Sequence, residues 1–509
     1  MIMSRLLSYL PFYQAPRPLP PVVPTDEVVP VHLFDDTSTL RGIIMVWTFR
    51  FNEVLDPEKL GGALSRLFRM EGWRKLGGRY RRRPDNKLEI HIPRPFTDER
   101  PPLHFTKEHL DVRMNEHPLA SQLPQATGEI ATFPGPRAFN PLALGPGSPR
   151  KFEDYIYSDL PQFSLHVKTF TDGTLLSVSH SHMTADLIGF AAVVNAWSLI
   201  LAGKPEMVPQ FVGLHEDGMK GLREPPVKEE HVLSGQELTG WRLAYWVIWT
   251  LLDSRRLNLE SRLVCIPKSK MERIMVQCRS QIASNRDTRS TGLKPFISEG
   301  DVLTAIACRM TAQSQGPWST RNVMTMIALD PRTRAKSAFQ QDAACVQNSP
   351  TAVFFNCPSN KALELSVGEL ALLSREAIVT QATEEQMKAY SAMSAESVRG
   401  SNMNVLFGDK DMSFQLISNW LKAKLLEKMD FGPAIVKEAP ESELRSQRGH
   451  PTYFHGTDPE RIDASLLIPL YVVMGTDYDG NKWLSCVLPN KIWPKLLDYL
   501  DSLAQGHTQ

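Results

Sequence analysis

The chain has 509 residues, 42% of them hydrophobic and 22% charged, with a formal net charge of +1. That balance is that of a globular rather than a disordered chain, and the near-neutral charge argues against nucleic acid or an acidic membrane as the main partner, so a small molecule is expected instead. The length exceeds what a single hydrophobic core usually fills, which points to two domains.

Cys265, Cys278, Cys308, Cys345, Cys357 and Cys486 are scattered through the second half without a CxxC pair, as in a reduced, cytoplasmic protein. Met1 to Leu10 runs straight into Pro11, Pro16, Pro18, Pro20 and Pro21; it reads as an extended arm rather than a signal segment. In chain order, Val29 to Phe51 gives two strand-like runs around a turn, the second alternating through Trp47, Phe49 and Phe51. Leu55 to Leu67 is an amphipathic helix, broken by Glu71 to Arg79, and a polar hairpin turns at Asp85-Asn86. From Pro93 to Pro149 the chain is rich in proline and glycine, which suggests a surface meander.

Phe163 to Leu201 is the most structured stretch. Phe163, Leu165 and Val167 alternate with polar residues, and Thr171-Asp172-Gly173-Thr174 makes a hairpin turn. Leu175 to His182 then returns as a strand with Val178, His180 and His182 on one face. Thr184 is the expected N-cap of a helix through Leu187, Phe190, Ala191, Val194 and Leu201, which puts Asp186 in its first turn. After a loop from Gly203 to Lys228, Glu229 to Leu259 reads as helical. Its apolar core, Trp241 to Leu252, is about half a bilayer span and is interrupted by Arg242, so a buried or amphipathic helix is expected and no membrane span.

The second half opens with a strand at Arg262 to Ile266, a helix from Ser269 to Ile282 and a polar loop from Asn285 to Gly292. Ser298-Glu299-Gly300-Asp301 starts another helix with Ser298 as cap and Asp301 on the positive end of the dipole. Val323 to Leu329 is a strand ending in Asp330-Pro331-Arg332-Thr333-Arg334, and Ala352 to Asn356 is another. Helices follow through Leu370, Leu373 and Ala377 and from Glu384 to Val398, then a strand from Met412 to Trp420 and a loop at Asp430-Phe431-Gly432. A hairpin about Asp479-Gly480 and a helix from Lys491 to Leu503 close the chain. Both halves mix strands and helices, which gives an α/β protein of two comparable domains, 1–225 and 261–509, joined by a helical crossover at 226–260.

Three chemistries fit His180-Ser181-His182-Met183-Thr184-Ala185-Asp186. A metal site is the weakest: the H-x-H pair has no third ligand at close spacing, and a helix-start carboxylate points away from a strand-face pair, so no metal is expected. The histidines can instead be satisfied core residues, or one of them can serve as a general base with the carboxylate in a structural role.

The motifs favour the last. His182 to Asp186 resembles the HxxxD motif of the BAHD acyltransferases, and Asp430-Phe431-Gly432 resembles the first three residues of that family's DFGWG. Ser298 to Ala305 is similar to the family's SxxDxLTA helix start, Asp330 to Arg334 to its R-x-R turn, and Ser418-Asn419-Trp420 to its S-x-W strand end. The Glu71-Gly72-Trp73 lead-in resembles the fungal secondary-metabolite branch that includes trichothecene acetyltransferase-like enzymes. There are departures: Leu187 replaces a frequent glycine, Pro433-Ala434 replaces Trp-Gly, and Phe355-Asn356 stands against Y-F-G-N without its glycine.

The resemblance implies two chloramphenicol-acetyltransferase-like domains, each a mixed sheet flanked by helices, with the active site at their interface. It implies a cytoplasmic monomer with no bound cofactor, which uses an acyl-CoA such as acetyl-CoA to acylate a hydroxyl or amine of a small metabolite without an acyl-enzyme. His182 would be the general base, Asp186 a structural carboxylate paired with Arg332 or Arg334, Asp430 and Gly432 supports of the cleft, and Ser418 and Trp420 parts of the channel wall; His180 would be a packing residue. Pro433 cannot inherit the oxyanion role that the family ascribes to its tryptophan, having neither side-chain donor nor backbone N–H. Two alternatives stay open: other chemistry in the same channel, such as a cyclisation, and metabolite binding without catalysis.

Overall fold

The computed structural model describes residues 17–224, 227–284, 296–316, 318–349, 351–440, 446–459 and 468–506; the arm Met1 to Leu10 and the loop Asn285 to Gly292 lie outside them. The first half supplies β1 (Ile44–Phe51), α1 (Pro57–Leu67), β2 (His104–His109), β3 (Ala131–Pro134), β4 (Phe163–Phe170), β5 (Gly173–Ser181) and α2 (Leu187–Leu201). The crossover is α3 (Gly240–Leu257). The second half supplies β6 (Leu259–Ile266), α4 (Lys268–Ser284), α5 (Glu299–Gln315), β7 (Asn322–Ala328), β8 (Ala352–Pro358), α6 (Val367–Gln381), β9 (Ser413–Asn419), β10 (Tyr453–Thr457), β11 (Leu470–Thr476), β12 (Lys482–Pro489) and α7 (Trp493–Ala504).

Local chemistry explains the boundaries. Asp56 caps α1 by accepting from Glu58 N and Lys59 N, and Pro57, whose missing N–H costs nothing at a first helical position, starts it. Ser298 and Asp301 form a capping box on α5, as the sequence suggests. α2 is apolar nearly all round and is buried accordingly, with Phe190, Val193, Val194 and Trp197 inside. α3 is the opposite case: only Trp246 and Leu257 are buried, and Trp241 and Ile248 are 67% and 60% exposed. No helix among the described residues is long and apolar enough to cross a membrane.

Among the described residues there are two large mixed sheets, one with strand order β10-β1-β5-β4-β2 and one with order β8-β7-β9-β11-β12-β6-β3. The sheets do not respect the split at the crossover. β10, from the second half, pairs antiparallel with β1, and β3, from the first half, pairs antiparallel with β6. The expected domains 1–225 and 261–509 therefore each lend a strand to the other. The meander expected from Pro93 to Pro149 contains two such sheet-edge segments, β2 and β3, which are short and half-exposed and so lack the clean alternation of a strand with a buried face.

A second tie is hydrophobic. Phe431 is fully buried, with its ring 5.8 Å from that of Phe51 and 4.5 Å from that of Trp197, and Ile435–Lys437 pairs antiparallel with Val54–Leu55. The Asp430-Phe431-Gly432 loop is thus a plug that docks the second half on the first. Phe431→Ala should cost about 3–5 kcal/mol in urea-induced unfolding, the usual loss for a buried aromatic; a loss below about 1 kcal/mol would show that the plug carries no stability.

Candidate active site

A cavity of about 1040 Å³ lies between the two sheets. Met45 and Trp47 of β1, Leu187 and Ile188 of α2, Met326 of β7, Leu416 to Asn419 of β9, Gly456 and Thr457 of β10 and Val472 and Val473 of β11 line it. It is at the top of the ~300–1,000 Å³ range of small-molecule sites, large enough for two reactants side by side. His182, half-buried, is part of its wall.

β5 ends at Ser181, one residue before His182. Thr184 N donates to Ser181 O at 2.9 Å and turns the chain, and His182 N donates to Ile43 O at 2.9 Å. The shared face expected for His180 and His182 is therefore lost at the strand end. His180 is fully buried in the core, where its ring packs on Phe163 and Phe190. Its Nε2 accepts from Trp47 Nε1 at 3.1 Å, so its proton is on Nδ1, 2.9 Å from Ser181 O. Burial pushes this imidazole down to about 3, which keeps it neutral. It is a packing residue, and an H-x-H metal pair is ruled out by these contacts.

His182 has different company. Its Nδ1 lies 3.0 Å from Asn348 Oδ1, and Asn348 Nδ2 donates to His182 O at 2.9 Å. The amide orientation is fixed, because Nδ2 also donates to Asp35 Oδ1 at 2.9 Å; flipping it would set its oxygen against two acceptors. Facing an acceptor oxygen, His182 Nδ1 must carry the proton, which leaves the lone pair on Nε2. That is the tautomer a general base needs.

Asp186 is the N-cap of α2 itself, where a first-turn position was expected, and Thr184 instead meets Tyr80 Oη at 2.8 Å. The Asp186 carboxylate accepts from Gly189 N at 2.8 Å, from Ser349 N at 3.2 Å and from both Arg332 terminal nitrogens at 3.1–3.2 Å. Arg332 also donates to Gln347 O at 2.7 Å and to Asp330 at 2.7 Å. Burial works against its charge, but Asp186 and Asp330 outweigh that and raise its pKa above the usual arginine value. Of the two arginines left open by the sequence, Arg332 is the partner; Arg334 lines the cavity. Ser418 and Trp420 are also on the wall, with Trp420 Nε1 donating to Ser418 Oγ at 2.9 Å.

Asp430 and Gly432 are not on that wall. Asp430 is exposed and accepts from Gly432 N at 3.1 Å, which shapes the plug around Phe431 rather than the cleft around His182. Asn356 is exposed on β8, opposite Met324, and does not meet His182 either. Asn348 does, and it was missed, as was Asp35. The only sequence signal for Asp35 was a carboxylate set against apolar Leu33 and Phe34; Asn348 had none apart from its position after the R-x-R turn.

The chain is 33% identical over 493 residues to the O-acetyltransferase PaAT-2 of Phomopsis amygdali, covering 94% of this chain and 99% of the relative. It is 31% identical over 506 residues to the acetyltransferase adrJ of Penicillium rubens, covering 97% and 99%. The chain belongs to the BAHD acyltransferase family. The fold of this BAHD enzyme resembles that of F. graminearum TRI101, solved with coenzyme A and T-2 mycotoxin, with TM-score 0.61, 13% identity and coverage of 92% of this chain and 96% of that one. Vinorine synthase follows with TM-score 0.54, 13% identity and 95% of each chain. No family model matches the sequence.

In this BAHD enzyme the Asp186–Arg332 pair is the interaction whose loss is most readily measured. Arg332→Met leaves a partly buried carboxylate without its cation and should cost on the order of 3 kcal/mol in urea-induced unfolding. Arg332→Lys should recover only part of this, since an ammonium cannot reproduce the two-pronged contact; full recovery would show that charge alone matters there.

Proposed function

We propose that this chain transfers an acyl group from an acyl-CoA, acetyl-CoA first among the donors to be tried, to a hydroxyl or amine of an apolar secondary metabolite, with His182 as the general base. The observation that carries this reading is the contact of His182 Nδ1 with Asn348 Oδ1 at 3.0 Å, in the wall of a cavity between two sheets. The relatives named acetyltransferases support the reaction class, and the TRI101 structure with coenzyme A supports the donor.

His182 Nε2 takes the acceptor's proton as its oxygen or nitrogen attacks the thioester carbonyl. The tetrahedral adduct collapses with cleavage of the C–S bond, and the imidazolium returns the proton to the departing thiolate, so no acyl-enzyme forms. The positive charge that develops on the ring is stabilised through Asn348 Oδ1. Asp186 takes no part in proton transfer, because its oxygens are committed to Arg332, Gly189 and Ser349.

The cavity wall also bears on the acceptor. Leu40, Ile43, Met45, Trp47, Leu187 and Ile188 present a largely apolar surface beside His182, which suits a hydrophobic scaffold carrying one reactive hydroxyl better than a polyol. All six cysteines are free, which supports a reducing, cytoplasmic setting. Incubated with acetyl-CoA and a panel of hydroxylated terpenoid, polyketide and alkaloid acceptors, the protein should release free thiol together with acylated product. His182→Ala should lower kcat about 10²–10⁴-fold, the range of general-base catalysis. Unchanged thiol release in that variant overturns the assignment of His182, and product formed without any CoA ester overturns acyl transfer.

A further inference from the structure

Behind the His182–Asn348 contact lies a carboxylate that the mechanism above does not use. Asp35 is 4% exposed, in the turn that follows the short strand Glu27–Pro30 and precedes β1, where its N donates to His32 O at 3.0 Å. Its Oδ1 accepts from Asn348 N at 2.8 Å and from Asn348 Nδ2 at 2.9 Å, and its Oδ2 from Gln347 Nε2 at 3.3 Å. An unbroken hydrogen-bonded path thus runs from Asp35 through the Asn348 amide to the His182 ring.

We propose that Asp35 is a positioning residue for the transfer: its carboxylate holds the Asn348 amide in the orientation that keeps the proton on His182 Nδ1 and the lone pair on Nε2. The inference rests on His182 being the base. Two acceptors, Asp35 Oδ1 and His182 O, fix the amide nitrogen on the side away from the ring nitrogen. Without the carboxylate only one of them remains. A flipped amide then sets Nδ2 against His182 Nδ1, which must become the acceptor, and the proton moves to Nε2, where the ring can no longer take one from the acceptor hydroxyl.

The charge state of Asp35 matters for the same reason. Burial raises its carboxyl to about 7, against the pull of Lys75 and the two Asn348 N–H groups, while Asp217 adds to the rise. His32, Asp36, Cys345 and Tyr80 are further titratable groups near it. Above that pH the ionised group is a pure acceptor and supports only the productive amide. Below it the neutral carboxyl is a weaker acceptor for the two Asn348 N–H groups on Oδ1 and holds the amide less firmly. A group of raised pKa binds its proton more tightly in the folded state, so Asp35 lowers stability as pH climbs from the ordinary carboxyl range to about 7.

The test is the pH profile of kcat/KM, with kcat and both KM values, for wild type, Asp35→Asn and Asp35→Ala, using the thiol-release assay. Asp35→Ala should lower kcat about 10–100-fold, by analogy with the loss on removing an outer group that orients a metal-bound histidine, with KM within about twofold. Asp35→Asn keeps an acceptor oxygen but removes the titrating group and the negative charge behind the imidazole; both changes move the acidic limb of its profile to lower pH. If Asp35→Ala does not fold, the nearly isosteric Asp35→Asn still reports the limb. Wild-type kcat and limb in the variants overturn the proposal, as does a lowered kcat with an unmoved limb, which would make Asp35 structural support only. Loss of the base assignment itself would appear separately, as activity retained in His182→Ala.

Discussion

The geometry around His182 depends on one carboxylate. Asp186 caps α2 through Gly189, receives Ser349 N, and meets the two terminal nitrogens of Arg332, whose own Nη2 reaches Gln347 O. The helix start next to His182 is thereby fastened to the segment carrying Asn348, 166 positions away from that histidine in sequence. Gly189 allows the approach: a Cβ there would lie 3.2 Å from Val346 Cα. Any larger residue would push away the strand of backbone that delivers Asn348. The pair is a distance constraint between the halves, and its value lies in that constraint more than in net energy, since desolvation offsets much of what a partly buried ion pair gains.

How much of this was legible follows from what is local and what is not. The hairpin, α2 and the capping box of α5 depend on neighbours within a few residues, and composition and spacing disclose them. His182 was legible because HxxxD is a short pattern; so was an arginine partner for Asp186, although nothing local distinguishes Arg332 from Arg334. The pairing of His180 with His182 was misleading because alternation holds only while the strand continues, and the turn from Ser181 to Thr184 ends it. Asn348 and Asp35 were invisible as partners, since their contact joins residues 313 positions apart, and no period in the sequence encodes it.

The exchange of β3 and β10 between the sheets ties the two halves together around the cavity. Tyr453 and Phe454 of β10 and Trp483 of β12 share one hydrophobic cluster with Trp47, Phe190 and Trp197 of the first half. Parting the halves would strip β10 from β1 and β3 from β6, exposing ladder groups and aromatic surface together. Opening of that kind is far costlier than moving side chains, so the gap between the sheets, where the cavity lies, is held in place by both exchanges.

The same architecture explains why Pro433-Ala434 is tolerated where the family has Trp-Gly. Pro433 falls in the first turn of a short 3-10 segment, Gly432–Ala434, where a missing N–H is harmless, and Phe431 just before it makes the contacts to Phe51 and Trp197. None of Asp430, Gly432 and Pro433 lines the cavity around His182. The altered motif therefore bears first on how the second half is held against the first. The altered sequence leaves the imidazole, its tautomer and its support by Asn348 as they are, and this is why the departure that looked like a sign of different chemistry sits well with acyl transfer.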